Sequence, residues 1–557
     1  MTRRALIPAV FLLAAACSSG PAAPVPVADL PDIDTATALR HMQMLASDEF
    51  EGRAPGSTGE TTTVNYLTDQ FKALGLEPGN PDGTYVQAVP LVGITASGHS
   101  PLVTTRNGAS QRFAHNTEVV AFSQRVTDQI DVADSEIVFV GYGVQAPEFQ
   151  WDDFKGLDVT GKTLIMLVND PPVSTAAGEL DPATFGGNAM TYYGRWTYKY
   201  DKAAELGAAA VFIVHDTPTA GYGWNVVQGF GRERFDLITP DKNMGRAAIQ
   251  GWLSAEATLR LFESAGLDFT ALKAQAATRE FEPVPLGMTA SMSFSQAMRT
   301  VDSQNVVAKL SGSDPVLKDE YVVYTAHWDH FGISAPVDGD TIYNGAVDNA
   351  SGTAGVLALA EALTKLETAP KRSSLFLLVT AEEQGLLGSQ YYAKFPLYPL
   401  EKTLADINID ANLPLWGRTS DVVVIGLGAS DLDDYLREAA AEQGRVLVPD
   451  AEPEKGFYYR SDHFNFAKVG VPALNTDDGV IYVGKDEGFG RQKKDEYTAS
   501  RYHAPADEVQ DDWDLSGYAE QLKLLMAVGI RVANADSYPE WKPGNEFKAV
   551  RDKALGR

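Results

Sequence analysis

Residues 320–383 read EYVVYTAHWDHFGISAPVDGDTIYNGAVDNASGTAGVLALAEALTKLETAPKRSSLFLLVTAEE. Within the opening segment, EYVVYTAHWDH (320–330), the run YVVYTA is apolar but for Thr325 and rich in β-branched and aromatic residues, as a strand buried on both faces is. GTAGVLALAEALTKL (352–366) repeats its apolar residues at helical spacing, and SLFLLVTAEE (374–383) returns to a continuous apolar run. Strand, helix and strand in this order form the unit of a parallel sheet, with the crossover helix on one face. The alternation continues. GLLGSQYYAKF predicts a helix, LADINIDANL and DVVVIGLG predict strands, and LDDYLREAAAEQG and WDLSGYAEQLKLLMAVGIRVANA predict helices, while NVVAKLSG is an earlier strand. The fold class is α/β: a mostly parallel central sheet with helices on both faces.

In open α/β sheets, ligands gather beyond the carboxyl ends of the strands. EYVVYTA ends in His327-Trp328-Asp329, SLFLLVTA in Glu382-Glu383 and LADINI in Asp410. The loop DGDTIYNGAVDNASG delivers Asp348 just ahead of a helix, and Ser461-Asp462-His463 and Tyr502-His503 follow late in the chain. Histidine nitrogen and carboxylate oxygen together suit divalent metals of borderline hardness, zinc above all. Two such ions ~3.5–4 Å apart need one carboxylate reaching both, and a free carboxylate beside them serves as general base. Adjacent Glu382 and Glu383 can divide ligand and base duties only if the strand breaks into a turn, because a regular strand points them to opposite faces. Plainer readings compete at single positions. Asp348 stands where a helix N-cap would, His463 suits a supporting or core position and is not read as a ligand, and His330 reads as exposed or locally packed. Neither a G-x-S-x-G elbow nor an H-E-x-x-H helix occurs.

The 557 residues hold 46 Lys+Arg against 74 Asp+Glu, a net charge of -28, which speaks against sequence-independent nucleic-acid binding. The single cysteine excludes a disulfide scaffold within the chain. That cysteine lies in MTRRALIPAVFLLAAACSSG, where Arg3 and Arg4 precede an apolar stretch too short to span a membrane: a secretory signal. Leu13-Ala14-Ala15-Ala16-Cys17 resembles a bacterial lipobox, although Leu13 stands four rather than three residues before the cysteine. The expectation is lipidation of Cys17 and export to the cell envelope. The lipid would anchor the protein to the outer membrane facing the periplasm and be its only membrane contact. The predicted organisation is a signal at 1–17, a Ser/Ala/Pro-rich tether at 18–34, an N-terminal part of the catalytic unit at 35–130, a β-rich inserted module at 131–285, and a C-terminal part carrying the metal site at 286–557. Two helices, in TATALRHMQMLASDEFEGR and in GETTTVNYLTDQFKALGL, open the catalytic unit, with EGRAPGSTG between them read as a plain connection.

His327-Trp328-Asp329, GAVDNASG, AEEQGLLGS, NIDAN, YRSDHFNF and YHAPAD, in this order, resemble the zinc-dependent exopeptidases. That family includes the double-zinc bacterial leucyl aminopeptidases, aminopeptidase Y and glutamate carboxypeptidase II. The resemblance implies two zinc ions per chain, one held by His327 and Asp410, the other by Glu383 and His503, with Asp348 bridging. It implies that Glu382 is the general base acting on a water bridged between the metals, that Asp329 orients the imidazole of His327, and that the Asp348–Asn349 peptide is cis. Tyr458 and Tyr459 are candidates for stabilising the developing oxyanion, and Asp462 for assisting. The inserted module resembles a protease-associated domain. The expected activity is removal of N-terminal residues from peptides or short protein substrates. The alternatives are a carboxypeptidase of the glutamate carboxypeptidase type, for which Arg418 and Arg460 lie near ligand segments, and an inactive receptor-like relative, against which the intact ligand set speaks.

Overall fold

The computed structural model describes residues 25–557 except 176, 221–222, 229–232 and 412. The signal segment, Cys17 and the first part of the tether lie outside the described residues.

Tyr321–His327 and Ser373–Val379 pair in parallel, with Tyr321 opposite Ser373 and His327 opposite Val379. Thr403–Asn408 flanks the first strand on its other side, and Ala473–Asp477 follows, again in parallel. Antiparallel neighbours flank these strands: Val284–Leu310 beside Ser373–Val379, and Asp421–Ile425 beside Ala473–Asp477. All residues of the three most central strands are buried. Val322, Tyr324 and Ala326 enter one core while Tyr321 and Val323 enter the other, so both faces of the pleat demand apolar side chains. Helices Gly352–Thr364 and Ser516–Asn534 cover the first face. Tyr392 and Phe466, from helices Leu387–Lys394 and His463–Lys468, cover the second. The two predicted N-terminal helices form as Thr35–Leu45, capped by the Asp34 carboxylate, and Thr58–Ala73, after which Gly75 turns the chain at φ 72°.

The inserted unit carries its own parallel strands, Thr163–Leu167, Ala210–Val214 and Ile249–Leu253, between two further cores. Its limits differ from those expected. Leu102, Phe113 and Ala121, assigned by sequence to the catalytic unit, are buried in the core of the insert. The expected limits at 130/131 and 285/286 fall inside the strands Gln129–Phe139 and Val284–Leu310. The reason is a shared strand. From Val284 to Ser295 this strand pairs with Gln129–Phe139, from Ser295 to Val306 with Val86–Ser97, and from Val306 to Leu310 with Ser373–Val379. A long strand that continues one sheet from the insert into the catalytic unit leaves no break in composition at the junction. Among the described residues, no helix is long and apolar enough to cross a membrane.

Candidate metal centre

His327 ends its strand with a ring that is 1% exposed. Its Nε2 lies 3.2 Å from Asp348 Oδ1, 3.2 Å from Asp410 Oδ1 and 4.0 Å from Glu382 Oε2. Opposite it, His503 Nε2 lies 3.2 Å from Asp348 Oδ2 and 3.4 Å from Glu383 Oε2. Asp348 therefore turns one carboxylate oxygen towards each histidine, and the five residues singled out as ligands converge with Glu382 beside them. The Asp348–Asn349 peptide is cis. Asn349 ties the Asp348 turn to the loop that carries Asp410: its Oδ1 accepts from the amides of Gly352 and Ala411, and its Nδ2 donates to the Ile409 carbonyl.

The paired glutamates reach the site because the strand stops at Val379 and the chain turns at Ala381, whose φ is 53°. Asp329 holds that turn. Its Oδ1 accepts the Glu382 amide at 3.0 Å and its Oδ2 the Glu383 amide at 3.4 Å. Asp329 also meets His327, chiefly through its backbone. The His327 Nδ1 donates to the Asp329 backbone carbonyl at 3.1 Å, while the carboxylate stands 3.8 Å away, engaged by the turn.

Three positioning residues carry no sequence signal strong enough to have been assigned. His330 is fully buried, not exposed, and its Nδ1 lies 2.6 Å from Glu383 Oε1, so Glu383 is held between two imidazoles. Asp507, the last residue of YHAPAD, accepts the amides of Val347 and Asp348 at 3.1 and 3.0 Å, and burial pushes its carboxyl up to about 7. Arg53, in the stretch read as a plain connection, is 1% exposed and donates to the carbonyls of Leu45, Trp328, Asn344 and Gly345.

The two tyrosines expected at the oxyanion are engaged elsewhere. The Tyr459 hydroxyl donates to Glu546 at 2.7 Å, and the Tyr458 ring lies between Phe547 and His463. Their segment runs into the aromatic cluster around Trp541 and Phe547, whose packing dictates where they point. Tyr502 stands at the site instead, its ring stacked on His503 at 3.7 Å. Burial raises its phenol, and the Asp348 carboxylate adds to the effect. Asp462 accepts from Ser389 Oγ at 2.5 Å, and burial raises its carboxyl to about 7.

The cluster sets four carboxylates against three imidazoles, of which His327 and His330 are buried and His503 is exposed. Burial raises Glu382 and Glu383, and the neighbouring carboxylates add to the shift although His327 opposes it. Burial acts against the charge on Asp348 too, yet hydrogen bonds from His327 and His503 hold its carboxyl well below the usual range. Burial would neutralise His327, but Asp410 and Glu382 hold it well above the usual imidazole value. Donor atoms of His327, Asp348 and Glu383 lie within 4.8 Å of one another. Nitrogen and carboxylate donors with excess negative charge, already held in place by amides, fit zinc.

The cluster opens into a cavity of about 1210 Å³ whose far wall belongs to the inserted unit, through Arg195, Tyr200 and Arg246.

Residues 305–527 match the profile of peptidase family M28. Mus musculus aminopeptidase NAALADL1 is 33% identical over 141 residues, 24% of this chain and 17% of that protein. Leucine aminopeptidase 2 of Trichophyton equinum is 31% identical over 219 residues, 37% of this chain and 40% of that protein. The matched stretches thus span less than half the length of these curated relatives. Among solved structures, the chain is similar to the aminopeptidase from Aneurinibacillus sp. strain AM-1, at 19% identity over 92% of this chain and 95% of that one, with a TM-score of 0.47. The candidate metal ligands all lie within the matched segment, residues 305–527, which resembles peptidase family M28.

Proposed function

We propose that the protein is a zinc-dependent aminopeptidase with two ions per chain. The observation that carries this reading is Asp348, whose two oxygens each lie 3.2 Å from a different histidine. His327 and Asp410 would hold one ion, Glu383 and His503 the other, and Asp348 both. When bound, the ions supply Lewis acidity, making water a nucleophile at neutral pH and polarising the peptide carbonyl. Glu382, whose proton affinity burial raises, would serve as the general base, taking a proton from the attacking water and returning it to the leaving amine. The Tyr502 hydroxyl, carried on a ring stacked against His503, donates to the developing oxyanion. A substrate's free α-ammonium finds its counter-charge in the carboxylates of the cluster.

Of the two basic residues that pointed to the carboxy-terminal alternative, Arg460 lines the cavity and Arg418 does not. Arg418 is paired with Glu520. Rates for free and N-acetylated forms of one peptide test the reading, with the free form strongly preferred; equal cleavage of both would refute it. Export with a lipid on Cys17 is part of the proposal and is supported by the N-terminal sequence. Mass spectrometry of the membrane-extracted protein should find a diacylated Cys17, and an unmodified cysteine would remove the anchor.

A further inference from the structure

The two glutamates of the centre sit in a turn that its own residues do not favour. Between the strand end at Val379 and the helix Leu387–Lys394, Ala381 and Leu386 stand at φ 53° and 62°. Residues other than glycine rarely adopt such angles, and a turn holding two of them persists only when its surroundings fix it. Asp329 grips the middle of the turn through the Glu382 and Glu383 amides. The neck is closed from another strand. Asn305, fully buried in Val284–Leu310, accepts the Thr380 amide on Oδ1 at 3.0 Å, and its Nδ2 donates to the Gly388 carbonyl at 3.0 Å. One side chain thus ties together the two limbs of the turn, on either side of the glutamates.

The surroundings serve the same closure. A Cβ added at Gly388 would stand 2.6 Å from Asn305 Oδ1 and closer still to the Thr380 carbonyl, so only glycine lets the limbs meet on the amide. Ser303, two residues back and so on the same face of the strand, meets Thr380 Oγ1 with its Oγ at 2.6 Å and donates to Glu60 Oε1 at 2.8 Å. Gln87, opposite Asn305 in the neighbouring strand, accepts from Asn305 Nδ2 at 3.1 Å and donates to the Phe395 carbonyl at 2.8 Å. A backbone amide only donates and a carbonyl only accepts, so these partners fix which way the Asn305 carboxamide faces. A carboxamide inside an apolar sheet costs free energy unless it is bonded, and here its bonds hold the limbs of the turn.

We propose that Asn305 is a positioning residue of the peptidase site: by closing the neck of the turn it sets where Glu383 meets its zinc ion and where Glu382 meets the water. The inference rests on the two-zinc peptidase reading, and it singles out one ion. Glu383 belongs to this turn, whereas Asp410 is carried by a loop that Asn349 ties to the Asp348 turn. When the zinc-loaded protein is titrated with a competing chelator, Asn305→Leu should release one ion at about tenfold lower chelator and the other within about twofold of the natural chain. On Leu-p-nitroanilide, kcat per zinc-saturated chain should fall about tenfold or more while KM changes little. Gly388→Ala, which keeps Asn305 and forces the limbs apart, should reproduce both effects and serves where Asn305→Leu does not fold. Val306→Ala, next in the same strand but buried in the core on its other face, is the control for a merely structural loss. It should lower the unfolding midpoint and leave both zinc ions as firmly held as before. Both ions weakened alike, neither weakened, or the same split in Val306→Ala overturns the positioning role while leaving the peptidase reading intact. A natural chain that takes up fewer than two zinc ions, or fails to cleave the substrate, overturns that reading and this role with it.

Discussion

At the scale of single residues, the site divides into groups that touch the reacting atoms and groups that hold those in place. On the proposed reading, Glu382 is of the first kind. Glu382→Gln should keep its zinc on elemental analysis yet turn over ~10²–10⁴ times more slowly, as loss of a general base does; activity near the natural level would move the base elsewhere. His330 is of the second kind, since its Nδ1 meets Glu383 Oε1 at 2.6 Å and leaves the other oxygen for the metal side. His330→Leu should weaken zinc binding by about 10–100-fold in chelator competition while the fold persists. An unchanged affinity would show that Glu383 needs no such support. The aromatic next to a ligand illustrates the limit of motif reading. Tyr458, Tyr459 and Tyr502 all neighbour site motifs, and only packing separates the one stacked on His503 from the two drawn into the cluster around Trp541.

At the scale of elements, the turns after the strands do more than the strands themselves. Arg53 stitches the segment Asp48–Arg53 to the loops at Trp328 and Asn344 through four carbonyls. Burial lowers its guanidinium to about 10, so it stays charged at neutral pH. Arg53→Met would orphan those acceptors at about 1–3 kcal/mol each where no water reaches them, and the midpoint of denaturant unfolding should fall accordingly. In the insert, His99 and His115 stack with ring centroids 3.6 Å apart, and burial followed by the proximity of His99 pushes His115 down to about 4. The folded value lies below the unfolded one of about 6.5, so the fold favours neutral His115. This contribution is complete above pH ~6.5 and is lost as the pH falls from there towards 4. Melting temperatures measured from pH 7.5 to 5 should decline, and His115→Phe, which keeps a ring in the stack, should flatten the decline; an equal decline in both proteins would clear His115.

At the scale of the whole molecule, one strand binds both units together. Val284–Leu310 carries one continuous sheet through the insert and the catalytic unit, so neither can lose its strands without disturbing the other. Calorimetric unfolding of the zinc-free protein should give one cooperative transition, and two resolved transitions would contradict this coupling. The same union places the insert across the cavity from the metal cluster. Much of this architecture was legible in the chain. A strand buried on both faces needs an unbroken apolar run, and the residue after such a run stands at the sheet rim by local geometry alone. That placed His327, Glu382, Glu383 and Asp410 together before any contact was known. The sharing of Asp348 between two histidines, the grip of Asp329 on the glutamate turn and the support from His330, Asp507 and Arg53 came only with the tertiary structure. So did the choice of Tyr502 and the far wall of the cavity. Each joins residues far apart in the chain or depends on which way a buried side chain packs, and such contacts impose no period on the sequence between them.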